Sequence, residues 1–189
     1  MKKVLLALAL PLLACSAPAH AIVTLDANVF YFSDAFVTGS TDTYNRLMWD
    51  GALSLSLTKK GGVMLGWAYS GSSFTDNVNS VQNTLSITGM GPKITFYLDR
   101  DNAWSAGFTY YLVLNATQSG SQSYTYTGTG MKGEFGYLPA ITENFFMGVK
   151  LNYYKATLAQ KITNQTSLQQ VSYGRTAIYP SLSLTLRFE

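Results

Sequence analysis

Three features of this 189-residue sequence predict an all-β protein that crosses a membrane with strands. Apolar residues fall on every second position in segment after segment, the pattern of a sheet with one apolar face. Charged residues make up 12% of the chain and aromatics 14%, whereas about a quarter of a soluble domain is charged. No run of about 18 apolar residues follows the first 21 residues, so no segment reads as a transmembrane helix. The predicted fold is an eight-stranded antiparallel transmembrane up-and-down β-barrel.

Residues 1–21 stand apart from it as a cleaved signal peptide. Lys2 and Lys3 form the positive start, Val4 to Leu13 the apolar stretch, and Ala19-His20-Ala21 the cleavage signal. The barrel domain is therefore expected to occupy residues 22–189. An alternative reads Leu13-Ala14-Cys15 as a lipoprotein site with Cys15 lipidated. Cleavage after Ala21 removes Cys15 and His20, the chain's one cysteine and one histidine. Export without disulfides suits a Gram-negative envelope. Eleven basic residues then face ten acidic ones, a balance that implies no nucleic-acid partner.

Eight alternating segments follow. The first is Ile22 to Phe32. The second, Arg46 to Thr58, puts Leu47, Trp49, Gly51, Leu53, Leu55 and Leu57 on one face and Arg46, Asp50, Ser54 and Ser56 on the other. The third runs from Gly62 to Ser70 and the fourth from Thr84 to Leu98. The fifth, Ala103 to Asn115, aligns Trp104, Ala106, Phe108, Tyr110, Leu112 and Leu114. The sixth spans Tyr124 to Leu138, and the seventh, Asn144 to Leu158, aligns Phe145, Met147, Val149, Leu151 and Tyr153. The eighth begins near Val171 and closes with Leu182, Leu184, Leu186 and Phe188 alternating with Ser181, Ser183, Thr185 and Arg187. Each is long enough for the roughly 9 to 11 residues that a tilted strand needs to cross a bilayer.

The connections alternate in length. Lys59-Lys60-Gly61-Gly62, Asp99-Arg100-Asp101-Asn102 and Pro139 to Glu143 are short. Ser33 to Asn45, Gly71 to Asn83, Ala116 to Ser123 and Ala159 to Gln170 are long and rich in Ser, Thr, Asn and Gln. Short periplasmic turns and long extracellular loops are the outer-membrane barrel pattern, and an even strand count places both termini in the periplasm. Only a closed sheet satisfies every backbone group in lipid.

Two segments change phase. Leu85 and Ile87 lie on odd positions but Ile94, Phe96 and Leu98 on even ones, so a face flip at a β-bulge is expected within Gly89-Met90-Gly91-Pro92. Near Gly128-Thr129-Gly130, Tyr124 and Tyr126 precede Met131, Phe135 and Tyr137. This is either a second flip or the end of a loop.

The signal peptide, the alternating ribbons and the aromatic-ended stretch from Leu182 to Phe188 together resemble the small eight-stranded outer-membrane barrels, of which the OmpA transmembrane domain, OmpX and OmpW are types. The resemblance covers residues 22–189 and is one of architecture and terminal signal. It implies outer-membrane lipid as surroundings, and recognition of Leu182, Leu184, Leu186 and Phe188 by the outer-membrane assembly machinery. No peptidoglycan-binding domain of the OmpA kind is expected after Phe188.

With the apolar face toward lipid, the charges left for the lumen are Asp26, Arg46, Asp50, Lys93, Lys132, Glu134, Lys150, Arg175 and Arg187. The interior of an eight-stranded barrel is just wide enough for side chains to fill. These residues therefore form either a polar core of paired charges or the lining of a narrow, anion-favouring channel. Outer-membrane barrel enzymes resemble one another in using an active-site histidine, and residues 22–189 contain none. No catalytic residue, metal ligand or cofactor is therefore assigned, and a carboxylate pair such as Asp26 with Glu134 reads as part of the core. Asp99 to Asn102 lacks the glycine and distal glutamate of a calcium loop and reads as a hairpin turn. Tyr31, Trp49, Trp67, Trp104, Tyr137 and Tyr153 suit interfacial girdles; a stacking platform would call for a basic patch as well.

The expected function is that of a non-catalytic integral outer-membrane protein with a structural or surface-interaction role, its partner met by the extracellular loops. Alternatives are a narrow channel for small solutes or hydrophobic compounds of the OmpW kind, and a soluble periplasmic ligand-binding barrel. The facing predicts that Ser183→Arg is tolerated or perturbs the lumen.

Overall fold

The computed structural model describes residues 22–38, 40–58, 61–120, 123–163 and 167–188. The proposed signal peptide, including Cys15, lies outside them, as do Lys59 and Lys60. Nine strands occur among the described residues: β1 (Val23–Thr38), β2 (Ser40–Ser56), β3 (Val63–Val78), β4 (Val81–Tyr97), β5 (Trp104–Ser119), β6 (Tyr124–Tyr137), β7 (Ala140–Thr142), β8 (Phe145–Thr163) and β9 (Ser167–Phe188). All pair antiparallel, and none of these residues is helical.

Eight of the nine form a ring. Successive strands pair from β1 to β6, β6 pairs with β8, β8 with β9, and β9 returns to β1 through Val23↔Phe188. β7 is a three-residue arm folded onto the start of β8 in the turn after Pro139. Over the span from Val23 to Val29 on β1 and from Leu182 to Phe188 on β9 closure leaves the ring no free edge, which is how an all-β chain saturates its backbone without an outside partner. The pairing of Val23 with Phe188 sets both described ends at one end of the barrel, called lower below.

The four polar segments expected to be long loops are instead the upper halves of strands. Thr38 pairs with Ser40, Val78 with Val81, Gln118 with Tyr124 and Thr163 with Ser167. Their Ser, Thr, Asn and Gln residues continue the ladder, because pairing uses backbone groups and does not depend on how polar the side chains are. The β3–β4 hairpin turns on two residues, Asn79 and Ser80, with φ of 51° and 63°. Positive φ at both central positions is the type I′ geometry that matches strand twist, and the Asn79 amide donates to Asp42 Oδ1 at 3.1 Å. At the lower end, Asp99 accepts from the amides of Ala103 and Trp104 at 3.2 and 2.9 Å, which closes the β4–β5 hairpin.

The face flip expected in β4 does not occur, and the segment near Gly128 is neither a flip nor the end of a loop but part of β6. Odd positions of β4 face inward throughout, from Ile87 through Gly89, Gly91 and Lys93 to Thr95. Leu85 and Ile87 are simply interior apolar residues, and Ile87 packs in the core. The irregularity opposite Gly91-Pro92 is real but belongs to β5. Met90↔Val113 gives way to Lys93↔Thr109, and Tyr111↔Gly130 to Leu114↔Gly128. Both ladders assign the extra residue to β5, where Leu112 and Val113 both face outward. Leu114 is thereby turned inward and buried, away from the face that Trp104, Phe108 and Leu112 share. Even positions of β6 likewise face inward without interruption, so Tyr126 is interior while Phe135 and Tyr137 are outside.

Candidate functional site

Alternation divides the side chains into an outer apolar belt and a filled interior. Leu25 and Val29 on β1, Leu53 and Leu55 on β2, Leu65 on β3, Phe96 on β4, Phe108 on β5, Phe135 on β6, Val149 and Leu151 on β8, and Leu182, Leu184 and Leu186 on β9 are all exposed on the outer face. The six aromatics read as girdle residues are exposed there too. Trp104 lies 4.8 Å from Tyr137 and Trp49 5.5 Å from Tyr69, measured between ring centroids. The Trp49 ring lies over Gly71, the residue paired with it, where a side chain would collide with the indole.

All nine charged residues assigned to the lumen point inward, and six of them form one connected ionic layer in the lower half. Lys93 Nζ lies 2.8 Å from Glu134 Oε1 and 3.4 Å from Asp26 Oδ2. Lys132 Nζ lies 2.7 Å from Asp50 Oδ2 and 2.8 Å from Glu134 Oε2. Lys150 Nζ reaches Glu134 Oε1 at 3.1 Å. Three ammonium groups thus meet three carboxylates, and all six side chains are almost wholly buried. A buried charge without a partner costs several kcal/mol, so the equal count is what lets so polar a layer exist in the barrel.

Neutral groups complete it. Thr185 donates to Asp26 at 2.6 Å and the Asn28 amide to Asp50 at 2.7 Å. Asn152 donates to Ser181 Oγ at 2.9 Å. Missing side chains matter as much. Glu134 reaches Lys93 across β5 because Gly107, its cross-strand partner, leaves the space vacant: a Cβ there would lie 2.7 Å from Glu134 Cγ. Gly136 makes similar room for the stem of Lys150.

The other three charged residues stand outside this layer. Arg187 lies at the lower rim, its guanidinium beside Gly61. Arg46 and Arg175 lie in the upper half around Phe74, and Arg46 pairs with Asp76.

Above the ionic layer the interior becomes apolar and aromatic. Met48, Phe74, Ile87, Tyr111, Leu114, Tyr126, Tyr154, Leu158 and Tyr179 pack into one buried cluster, with Tyr111 and Tyr154 edge to face at 6.0 Å. Reasoning from polarity missed this layer, since an inward Leu is spelled like an outward one. Its traces in the sequence were the odd phase of Leu85 and Ile87 and the even phase of Tyr124 and Tyr126. Asn28 and Asn152 were also missed, although each lies in phase with a charged residue on its own strand, Asp26 and Lys150.

Fold and interior together define a closed antiparallel barrel with an apolar outside and a filled, charge-compensated inside. No family model matches the sequence, and no curated protein matches it. Among solved structures the chain is similar to Neisserial surface protein A (NspA), at 13% identity and a TM-score of 0.45, over 92% of this chain and 100% of that one.

Proposed function

We propose that this chain is an integral outer-membrane β-barrel protein with a sealed lumen and a non-catalytic, structural or surface-interacting role. One observation carries the reading: every ring strand turns large apolar residues outward while lysines and carboxylates are buried inside. A soluble protein seldom exposes a contiguous apolar patch larger than a few hundred Å², and this belt runs round the whole barrel. A soluble ligand-binding barrel would carry the opposite arrangement.

In this reading outer-membrane lipid covers the belt and both described ends lie in the periplasm. The Leu182 to Phe188 ribbon is what the assembly machinery meets, and the upper hairpins face the outside, where a partner would dock. The packed ionic layer and the aromatic layer above it favour a sealed lumen over an OmpW-like channel. Gel mobility of the membrane-fraction protein, unheated against heated in SDS, tests the barrel, and planar-bilayer recording tests the seal. A heat-dependent mobility with no steady conductance is expected. Solubility in the periplasmic fraction with a single mobility would overturn the membrane reading, and a steady conductance would overturn the seal alone.

A further inference from the structure

The barrel wall is incomplete at one place. Neighbouring ring strands stay paired into the upper hairpins, except β1 and β9, whose ladder runs only from Val23↔Phe188 to Val29↔Leu182. Above Val29, β1 continues to Thr38 beside β2, and above Leu182, β9 runs on beside β8 to Ser167. Two strand edges therefore face each other unpaired. Extended upward, the register would set Pro180 opposite Tyr31, and proline has no amide hydrogen to offer a ladder.

A cavity of about 280 Å³ opens in this slit, lined by Phe30, Phe32, Arg46, Phe74, Arg175 and Tyr179, among others. Phe30 and Tyr179 meet at its foot, with ring centroids 5.4 Å apart. Phe32 shares the inward phase of β1 yet is 49% exposed, since no strand edge covers it. The Arg175 guanidinium carbon lies 3.8 Å from the Phe74 ring centroid, and among the described residues no carboxylate stands within salt-bridge distance of it, Asp76 acting on it only from farther off. Arg46 holds Asp76. Two guanidiniums thus share one carboxylate at the mouth of an apolar slit.

That arrangement complements one negative charge on an apolar chain. We propose that the slit between β1 and β9 binds a single-chain carboxylate amphiphile, of the class of a long-chain fatty acid, entering sideways from the bilayer. Its carboxylate lies between Arg175 and Arg46, as Asp76 already does on Arg46, and its first methylenes lie on Phe30, Phe74 and Tyr179. The volume lies just below the range of drug-sized ligand sites, about 300–1,000 Å³, and so suits one chain. The interior below is packed, so the slit is a blind site and not a passage. The inference rests on the membrane reading above, because the ligand arrives through lipid.

The test uses the full chain in phosphatidylcholine nanodiscs, titrated with hexadecanoate and followed by backbone amide shifts. Saturable shifts at residues 30, 32 and 175–179 are expected, with hexadecanol binding more weakly. Arg175→Gln should weaken hexadecanoate about tenfold, the loss of one charged hydrogen-bonding partner, and leave hexadecanol unchanged. Ala177→Trp, which fills the slit, should abolish both. Absence of these shifts, equal titration by acid and alcohol, or indifference to Ala177→Trp would overturn the proposal. Tighter binding of hexadecyl phosphate would overturn the carboxylate assignment. Should Arg175→Gln fail to fold, the head-group series on the unaltered protein decides. Heat-dependent gel mobility of the same samples separates the two readings, since a heat-shifting barrel that fails to bind sinks the slit alone.

Discussion

Glu134 Oε1 stands 2.8 Å from Lys93 Nζ, which joins β6 to β4 across the inside of the barrel, past the β5 strand whose residue opposite Glu134 is Gly107. Glu134 also holds Lys132 and Lys150, so one carboxylate neutralises part of three ammonium groups. Glu134→Gln should leave three lysines to two acids and cost about 3–5 kcal/mol, read from urea unfolding in lipid vesicles. Glu134→Gln combined with Lys150→Met restores the balance and should recover most of the loss. A double variant no more stable than the single would show that charge count is not what governs this layer.

Gly107→Ala tests the space rather than the charge. Its methyl group would press on the Glu134 stem, and crowding of a packed interior costs typically about 1–3 kcal/mol. Gly133→Ala on β6 is the control, because a Cβ there meets nothing within 4 Å. Equal unfolding midpoints for the two variants would contradict the packing described.

Leu184 faces outward on β9 and Ser183 inward. Leu184→Arg should cost about 2–4 kcal/mol if the belt lies at mid-bilayer, whereas Leu184→Phe should be nearly neutral, as vesicle unfolding would show. Of the two outcomes that alternation allows for Ser183→Arg, tolerance or perturbation of the lumen, the packing favours the second. Ser183 is fully buried, 3.3 Å from Ser181 Oγ, and the added guanidinium would have neither space nor a free acid. It should destabilise at least as much as Leu184→Arg.

At the upper turn Ser80 holds a φ of 63°, a left-handed conformation that costs an ordinary L-residue about 1–2 kcal/mol. Ser80→Gly relieves this at some cost in unfolded-state entropy. A net gain of about 0.5 kcal/mol is expected from the same unfolding assay, and a loss would contradict the type I′ geometry.

Period-two alternation made the facing of Leu182, Leu184, Leu186 and Phe188 legible, and with it the inward phase of all nine charged residues. Strand count was legible because turn residues punctuate the lower end at Gly61-Gly62 and Asp99 to Asn102. Partner choice was not. Lys93 and Glu134 are 41 positions apart in sequence and meet across Gly107, which leaves room for the Glu134 stem. Nor could alternation locate the extra residue of β5, since Leu112, Val113 and Leu114 are equally apolar and only the two ladders reveal which one turns inward. The upper ribbons were read as loops because composition reports what surrounds a strand, while pairing depends on the backbone.

The short β1–β9 ladder also has a consequence for the order of assembly. Val23 and Phe188 must find each other across nearly the whole sequence, and contacts of such separation carry the largest loop-closure penalty and slow folding. The seven closing pairs should therefore be the last to form. In the finished protein they are the shortest zipper in the ring, so the native barrel should open there first, and amides of residues 23–29 facing β9 should exchange with solvent before those of the β3–β4 ladder.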